Sequence, residues 1–203
     1  MLAWNSLLCL LFFVQHSTMI RKAFRHRLSA FVPPYFQGAL YTVASGAALT
    51  GLVLFWQNSV QMLVSLQDVS RWLAHAVFFA SILGMVWGMR ALRSFDVFGN
   101  QQVLDHIRAL HVRDMPLTIR GPYRWVRHPL YFFTLVMIWC CPDLTLDRLL
   151  FNVLFTAWIV IGTILEERDL VAEFHETYLN YQRKVPMLIP WKLRKPFRSG
   201  RSC

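Results

Sequence analysis

The sequence predicts an all-α polytopic membrane protein with about five transmembrane helices. Hydrophobic residues make up 56% of its 203 residues, and charged residues make up only 16%. A soluble domain is typically about 45–50% apolar and about 25% charged. The charged residues are also clustered between long uncharged runs, which is typical of membrane helices joined by short loops. We therefore expect a single integral-membrane domain that spans residues 1–203.

Uncharged runs of residues define the predicted helices. A helix needs roughly 20 apolar residues to cross the hydrocarbon core of a bilayer. The fourth run reaches that length only if its helix begins before Pro129. A short turn at 142–148 is expected to join the fourth and fifth helices into a hairpin. The predicted spans are approximately residues 1–20, 36–56, 72–92, 126–142 and 148–166, followed by a cytoplasmic tail at 167–203.

The distribution of Lys and Arg predicts the orientation of these helices. Basic residues are concentrated at 21–27, at 90–128 and in the tail, whereas 57–71 and 142–148 are nearly neutral. Cytoplasmic loops are enriched in Lys and Arg, so we expect the N-terminus outside and the C-terminus in the cytoplasm. The first run has neither a basic region before it nor a cleavage site after it, so it is expected to be retained. Because organelle signals are absent, the expected location is a bacterial inner membrane.

Several classes of function are disfavoured by the sequence. The formal net charge of +10 could indicate a nucleic-acid partner, but no nucleic-acid-binding motif is present, so basic membrane loops explain it better. The four cysteines show no C-x-x-C spacing, which argues against a zinc site. Neither G-x-G-x-x-G nor a P-loop occurs. The sequence thus predicts a lipid bilayer as its surroundings, with no nucleic acid and no metal.

Small residues on two predicted helices indicate close helix packing. Gly84-x-x-x-Gly88 in the third run would let another helix approach closely. The second run carries Ser45-Gly46-Ala47-Ala48, which we interpret in the same way.

The segment 120–131 is the first candidate site. Its Gly-Pro pair predicts a turn, and Pro129 suits the first turn of a helix. Ionisable side chains at membrane depth are costly and are therefore functional candidates. The alternative is a basic collar with aromatic anchors at the membrane surface. Helix-like spacing predicts one shared face for Tyr123, Arg127, His128 and Tyr131.

The second candidate site is the acidic pair Glu166-Glu167 at the end of the fifth run. A helix C-terminus favours cations, so we expect the helix to continue beyond these acids. A carboxylate here could face a cavity between helices four and five and bind a ribose or a cation. The alternative is a solvated helix with Glu–Arg pairs. The helical rhythm is continued by Leu170, Phe174, Tyr178 and Tyr181.

A third candidate is the apolar segment 185–191, which follows the predicted helix. Two prolines, Pro186 and Pro190, end the helix and give an extended chain. The segment could anchor the protein at the membrane surface or form a lid over a cofactor.

These motifs, in this order, resemble the integral-membrane methyltransferases typified by isoprenylcysteine carboxyl methyltransferase. The matching residues are Gly121-Pro122-Tyr123, Arg127-His128-Pro129-x-Tyr131, Glu166-Glu167, Tyr178-x-x-Tyr181 and Val185-Pro186-x-x-Ile189-Pro190. The N-terminal half resembles the nurim-type branch, which includes bacterial methanethiol S-methyltransferase. That likeness rests on Gln15-His16-Ser17-x-Met19, Val32-Pro33-Pro34, Leu40-Tyr41 and Phe95-Asp96-Val97-Phe98-Gly99.

The resemblance implies S-adenosyl-L-methionine as cofactor and a small thiol such as methanethiol as acceptor, with dimethyl sulfide as product. A methyl acceptor of this kind reacts as its thiolate. The residues implied in cofactor binding are Pro116, Leu117, Thr118, Tyr123, His128, Pro129, Tyr131, Glu166 and Tyr181. The residues expected to take part in catalysis are Arg127, His128 and Glu167, with His128 the best candidate for a general base.

One departure from the family pattern bears on the acceptor. Carboxyl methyltransferases place an Arg about one helical turn before the acidic pair, whereas this sequence has Gly162 there. Arg is suited to bidentate carboxylate binding, and glycine cannot replace it. A small neutral or thiol acceptor is therefore favoured. The alternatives are an isoprenylcysteine or lipid acceptor, or a nurim-like membrane protein without catalysis.

Overall fold

A computed structural model of the chain describes residues 1–92, 101–108 and 117–191. Helices dominate these residues, as the composition predicts. In chain order the elements are α1 (Leu2–Ile20), α2 (Lys22–Leu28), α3 (Pro34–Leu54), β1 (Met62–Ser65), α4 (Asp68–Ala91), α5 (Gln101–Ile107), a 3₁₀ turn (Gly121–Arg124), α6 (Pro129–Trp139), β2 (Asp143–Thr145) and α7 (Leu146–Lys184).

Within the described residues, four helices are long and apolar enough to cross a membrane: α1, α3, α4 and α7. Their outward side chains include large apolar ones such as Val14, Val43 and Leu83, which are 64%, 69% and 70% exposed. Such surfaces are favourable in lipid rather than in water. The all-α polytopic membrane fold is thus confirmed.

The fourth helix, α6, is shorter than the run that predicted it. Its 11 residues begin at Pro129, and at 1.5 Å per residue they extend only about 17 Å. The bilayer core is about 30 Å thick, so α6 by itself falls short of a span. Proline disfavours a helical conformation at the preceding residue, and His128 accordingly has φ −122° and ψ 67°. The predicted start near residue 126 is therefore wrong.

Contacts divide the chain into two compact units, which are described separately. The first unit contains Met1–Val60, α5 and Leu146–Phe155, and the rest of the described chain forms the second. The one-domain organisation stays a prediction.

Polar side chains join the elements of the first unit. Asn5 is fully buried in α1, where its side-chain amide donates to the carbonyl of Gln57 at 2.8 Å and accepts from the Gln57 N–H at 3.0 Å. The Tyr41 hydroxyl lies 2.7 Å from Nε2 of His16, which connects α1 with α3. Because lipid offers no hydrogen-bonding partners, such pairs satisfy groups that would otherwise be costly to bury.

In the second unit, α6 lies against α4 at the two predicted glycines. A Cβ atom at Gly84 would overlap the ring of Phe133, and one at Gly88 would lie 2.7 Å from Cδ2 of Leu130. Only glycine allows this approach, so the packing role of this motif is confirmed. In the second predicted run, a Cβ at Gly46 would meet nothing within 4 Å among the described residues, whereas Ser45 accepts from Gln15 of α1 at 3.4 Å. The run thus contacts α1 through Ser45 and not through its glycine.

A short β-ladder, which the sequence did not predict, also belongs to the second unit. Strands β1 and β2 pair antiparallel, with Val64 opposite Leu144 and Ser65 opposite Asp143. The ladder gives partners to backbone groups in the segments that flank α4 and α6. An ion pair between Arg71 and Asp143 joins the start of α4 to β2. The predicted turn at 142–148 is therefore partly a strand.

Candidate functional site

A buried ion pair between Arg127 and Glu167 is the centre of the candidate site. Nε and one terminal nitrogen of Arg127 donate to the two carboxylate oxygens of Glu167, at 2.5 and 2.8 Å. The side chains are only 9% and 12% exposed. This bidentate geometry is the strongest form of Arg–carboxylate pairing. It fixes the segment before α6 against the middle of α7.

The other terminal nitrogen of Arg127 holds the end of α7. It donates to the carbonyls of Gln182 and Val185, at 3.0 and 2.6 Å. The side-chain amide of Gln182 also donates to Glu167, at 3.0 Å. Both terminal nitrogens of Arg127 thus have partners within the protein, and so do both carboxylate oxygens of Glu167.

These contacts require α7 to fold back on itself. A straight helix would separate residues 167 and 182 by about 22 Å. The helical conformation is instead interrupted at His175, which has φ 46° and ψ −129°. The predicted continuation of the helix beyond Glu167 is correct, but its straight course is not. The fold-back therefore brings these apolar side chains together in one cluster. Its buried members are Tyr178, Tyr181 and Val185, and the partly buried residues packed against them are Leu117, Ile119, Leu170, Val171 and Phe174.

The segment after α7 lies along the chain that precedes α6. The N–H of Arg127 donates to the carbonyl of Pro186 at 2.9 Å, and that of His128 donates to the carbonyl of Met187 at 3.1 Å. Val185 and Leu188 are buried beside them, at 3% and 6% exposure. The apolar segment 185–191 is thus fixed against the motif by its backbone. Whether it also forms a lid or a membrane anchor stays a prediction.

His128 is oriented by this network. It is 7% exposed, and its Nε2 lies 3.1 Å from an oxygen of Glu167. A carboxylate held by Arg127 can only accept, so Nε2 of His128 carries the hydrogen. Nδ1 of the ring lies on the side of Glu166, 3.9 Å from its Oε2. The ring also stacks on Tyr131, with centroids 5.7 Å apart.

Glu166 is the accessible carboxylate of the site. Its side chain is 44% exposed, compared with 12% for Glu167. The Tyr131 hydroxyl donates to Oε2 of Glu166 at 2.8 Å, so this residue connects α7 with α6. Oε1 of Glu166 has no hydrogen bond within the described residues. It can therefore accept from a ligand.

Two tyrosines complete the packing on the side of the 3₁₀ turn. The Tyr181 hydroxyl donates to the backbone carbonyl of Tyr123 at 2.5 Å. Burial raises the pKa of the Tyr123 phenol well above its usual value, and the nearby charge of Glu166 raises it further. Tyr123 therefore stays neutral at physiological pH. The turn itself needs Gly121, whose φ of 52° and closeness to Trp87 disfavour a side chain.

Comparison with known proteins identifies the family of this chain. Residues 6–190 match the family described as NnrU protein. The chain belongs to the NnrU protein family. Over 195 residues it is 38% identical to the methanethiol S-methyltransferase of Pseudomonas deceptionensis, which covers 94% of this chain and 73% of that protein.

Further relatives of this NnrU-family chain extend the comparison. Methanethiol S-methyltransferase 2 of Bradyrhizobium diazoefficiens is 36% identical over 188 residues, covering 92% of this chain and 72% of that protein. Nurim of Mus musculus is 29% identical over 184 residues, covering 83% and 68% respectively. The predicted likeness to the nurim and methanethiol S-methyltransferase branch is thus confirmed. No solved structure matches the chain.

The fold of this family member brings most of the predicted site residues together, although not in the predicted way. Tyr123, Arg127, His128 and Tyr131 do not share one helix face, because the chain between the 3₁₀ turn and Pro129 is not helical. Backbone pairing to 186–187 and side-chain contacts to α7 place them instead. Leu117 and Thr118 are half-buried in the same unit. Pro116 lies outside the described residues.

Sequence reasoning missed Gln182, which bonds Glu167 directly. It named Tyr178 in the helical pattern and in the family motif but did not predict that its hydroxyl lies 3.4 Å from Glu167. Both contacts with Glu167 depend on the fold-back of α7, and no local sequence pattern predicts that fold-back. Among the described residues, no group of three His, Cys, Asp or Glu side chains could hold a metal ion.

Proposed function

We propose that this chain transfers a methyl group from S-adenosyl-L-methionine to a small thiol, methanethiol, giving dimethyl sulfide and S-adenosylhomocysteine. Relatives named methanethiol S-methyltransferase, 33–38% identical over more than nine-tenths of the chain, support the reaction and its acceptor. The structural observation that carries the proposal is the accessible Tyr131–Glu166 pair beside buried His128.

The residues present fit this cofactor. S-adenosyl-L-methionine offers a ribose diol and an ammonium group as donors, and an exposed carboxylate with an available oxygen can accept from either. Glu166 is such a carboxylate. The stacked rings of His128 and Tyr131 provide an aromatic surface for a sulfonium cation. We infer that Glu166 holds a donor group of the cofactor, with His128, Pro129 and Tyr131 at its side and Leu117, Thr118 and Tyr123 completing the site.

The bound cofactor supplies an electrophilic methyl group on a sulfonium, whose thioether leaves without needing an acid. An acceptor thiol would give up its proton as its sulfur takes the methyl group. Nδ1 of His128 lies on the Glu166 side, where a neutral ring would accept that proton. The main contribution of the protein is positioning, because donor carbon and acceptor sulfur must approach to about 3–3.5 Å.

We assign Arg127 and Glu167 to positioning rather than to contact with the reacting groups. Both are nearly buried, and each bonds protein groups on both ends of its side chain. Their pair fixes the Nε2 hydrogen of His128 and holds the end of α7 in place. Tyr181, which bonds the carbonyl of Tyr123, has the same kind of role.

Gly162 supports a small acceptor. It lies one helical turn before Glu166 on α7, and a Cβ there would meet nothing within 4 Å among the described residues. The position is thus open without being cationic, so it offers no partner to an acceptor carboxylate. We place the protein in a bacterial inner membrane with its N-terminus outside, which the distribution of Lys and Arg supports.

The experiment is methyl transfer by the purified full chain in detergent, with S-adenosyl-L-methionine and methanethiol, followed by headspace detection of dimethyl sulfide. We expect product from the wild type. Glu166→Gln should lose at least about tenfold in kcat/KM, because a charge-assisted hydrogen bond to the ligand is worth roughly 1.5–3 kcal/mol. Glu173→Gln, which removes an exposed carboxylate of the same helix, is the matched control and should keep wild-type activity.

If folded wild-type protein binds the cofactor but forms no dimethyl sulfide, the acceptor is wrong, and prenylated or lipid acceptors should be assayed next. If it does not bind the cofactor at all, the methyltransferase proposal fails and a nurim-like role without catalysis is favoured. Equal activity of both Gln variants would remove Glu166 from the cofactor site.

A further inference from the structure

A cavity in the first unit is separate from the residues of the candidate site. It has a volume of about 570 Å³ and lies in the angle between α1 and α2. Its lining combines apolar side chains of α1, two hydroxyl groups and two arginines. The residues are Phe13, Val14, Ser17, Thr18, Arg21, Ala23, Phe24 and Arg27.

The charges around this cavity are unbalanced. The chain contains no Asp or Glu before Asp68, whereas Arg21, Lys22, Arg25 and Arg27 lie within seven residues. Among the described residues, no carboxylate forms an ion pair with any of these four. A cluster of exposed cations without local acids attracts an anionic partner.

Arg25 differs from the two arginines that line the cavity. Its Nε donates to the side chain of Gln37 on α3 at 3.3 Å, and its carbonyl accepts from the same residue at 3.1 Å. The Arg25 side chain therefore already has a hydrogen-bond partner within the protein, on α3. Arg21 and Arg27 are exposed and both line the cavity, Arg21 at the junction of the two helices and Arg27 on α2.

The position of the cavity indicates which anion it would meet. Helix α1 is long and apolar enough to span a membrane, and it ends at Ile20, directly before the first arginine. Basic residues at the end of a spanning helix lie at the level of the lipid headgroups. Phe31, shortly after α2, is 88% exposed, which suits an aromatic side chain at the same interface.

We propose that this cavity binds the headgroup of an anionic phospholipid. Arg21 and Arg27 both line the cavity and contact the phosphate, and the hydroxyl group of Thr18 adds a hydrogen bond. The lipid chains lie along Phe13 and Val14, one to two turns deeper on α1. Free phosphate shares the charge but lacks the chains, so the apolar lining favours the lipid.

The test is calorimetric titration of the purified full chain, in a neutral detergent, with short-chain phosphatidylglycerol, with phosphatidylcholine of the same chain length, and with inorganic phosphate. We expect phosphatidylglycerol to bind at least tenfold more tightly than phosphatidylcholine, since only the former carries a net negative charge for the two arginines to attract. Inorganic phosphate should not compete at the same concentration.

Variants locate the site. Arg21→Gln and Arg27→Gln should each weaken binding about fivefold, and the double variant about 30-fold, because each removes a charge that lines the cavity. Lys22→Gln removes an equal charge next to the cavity but outside its lining, so it should change affinity less than about twofold. Circular dichroism verifies that each variant keeps the helical content of the wild type.

Equal binding of the two lipids by the wild type would overturn the proposal without reference to any variant. A loss of affinity in Lys22→Gln equal to that in the arginine variants would also overturn the proposal, because it would indicate diffuse electrostatic attraction and not a defined site. Competition by inorganic phosphate at equal concentration would mean that the site takes a free anion and not a lipid.

Discussion

Two adjacent glutamates have opposite surroundings in this protein. Glu167 is enclosed by Arg127, His128, Gln182 and the hydroxyl of a tyrosine, whereas Glu166 exposes nearly half of its side chain. Consecutive side chains on a helix point about 100° apart, so one can face the interior of the site while the other faces its opening. The buried acid therefore positions neighbouring groups, and the exposed acid is available to a ligand.

Glu167→Gln tests this difference through stability. The substitution leaves the guanidinium of Arg127 buried without a counter-charge, which should lower the free energy of unfolding by about 3–5 kcal/mol. Thermal unfolding in detergent, followed by circular dichroism, measures it. Glu166→Gln is the matched control and should unfold close to the wild-type temperature, because its carboxylate is largely solvated. Similar losses in both variants would contradict the assignment.

At the scale of elements, two helices depart from their uncharged runs for local reasons. Proline at its first position makes α6 begin at Pro129, and the segment before it, which includes Arg127 and His128, is non-helical and pairs with 186–187. In α7 the break at His175 lets the last turns return to Glu167. The first departure leaves the backbone N–H groups of Arg127 and His128 to pair with 186–187, and the second brings Gln182 to Glu167.

The contact between α4 and α6 depends on glycine. In Gly84→Ala the new methyl group would overlap the ring of Phe133, so we expect a loss of about 1–3 kcal/mol in unfolding free energy. Gly46→Ala is the control on a helix face with open space, where loss of backbone freedom in the unfolded chain should stabilise by about 0.5–1 kcal/mol. Unfolding in detergent measures both, and equal effects would show that α4 and α6 do not pack as described.

At the scale of the whole molecule, the β-ladder constrains the path of the chain through the second unit. Strand β1 precedes α4, and β2 follows α6, yet the strands are hydrogen-bonded to each other. The two ends of the segment that contains α4 and α6 therefore lie side by side in this unit.

Cysteine labelling in intact cells tests the orientation. In a background with Cys9, Cys140, Cys141 and Cys203 replaced by alanine, single cysteines are introduced at His26 and Val60, both exposed. With the N-terminus outside, a membrane-impermeant maleimide should label Val60→Cys and spare His26→Cys until the cells are permeabilised. The reverse pattern would mean that the basic loop lies outside.

The sequence alone determined the all-α membrane class, and it predicted the approximate spans and the residues of the candidate site. These follow from information that is local in the chain. Uncharged runs of about 20 residues have few alternatives to a membrane helix, and Gly84-x-x-x-Gly88 marks a close helix contact. The motif residues near His128 and Glu166 could be named because their order and spacing resemble a known family.

Only the tertiary structure decided how those residues work. Sequence spacing placed Arg127 and His128 on one helix face, but contacts with Glu167 and with the backbone of 186–187 hold them instead. The roles of Glu166 and Glu167, and the contribution of Gln182, depend on a fold-back that joins residues 15 positions apart. Burial and hydrogen-bond partners are properties of groups distant in the chain, so no local pattern could assign them.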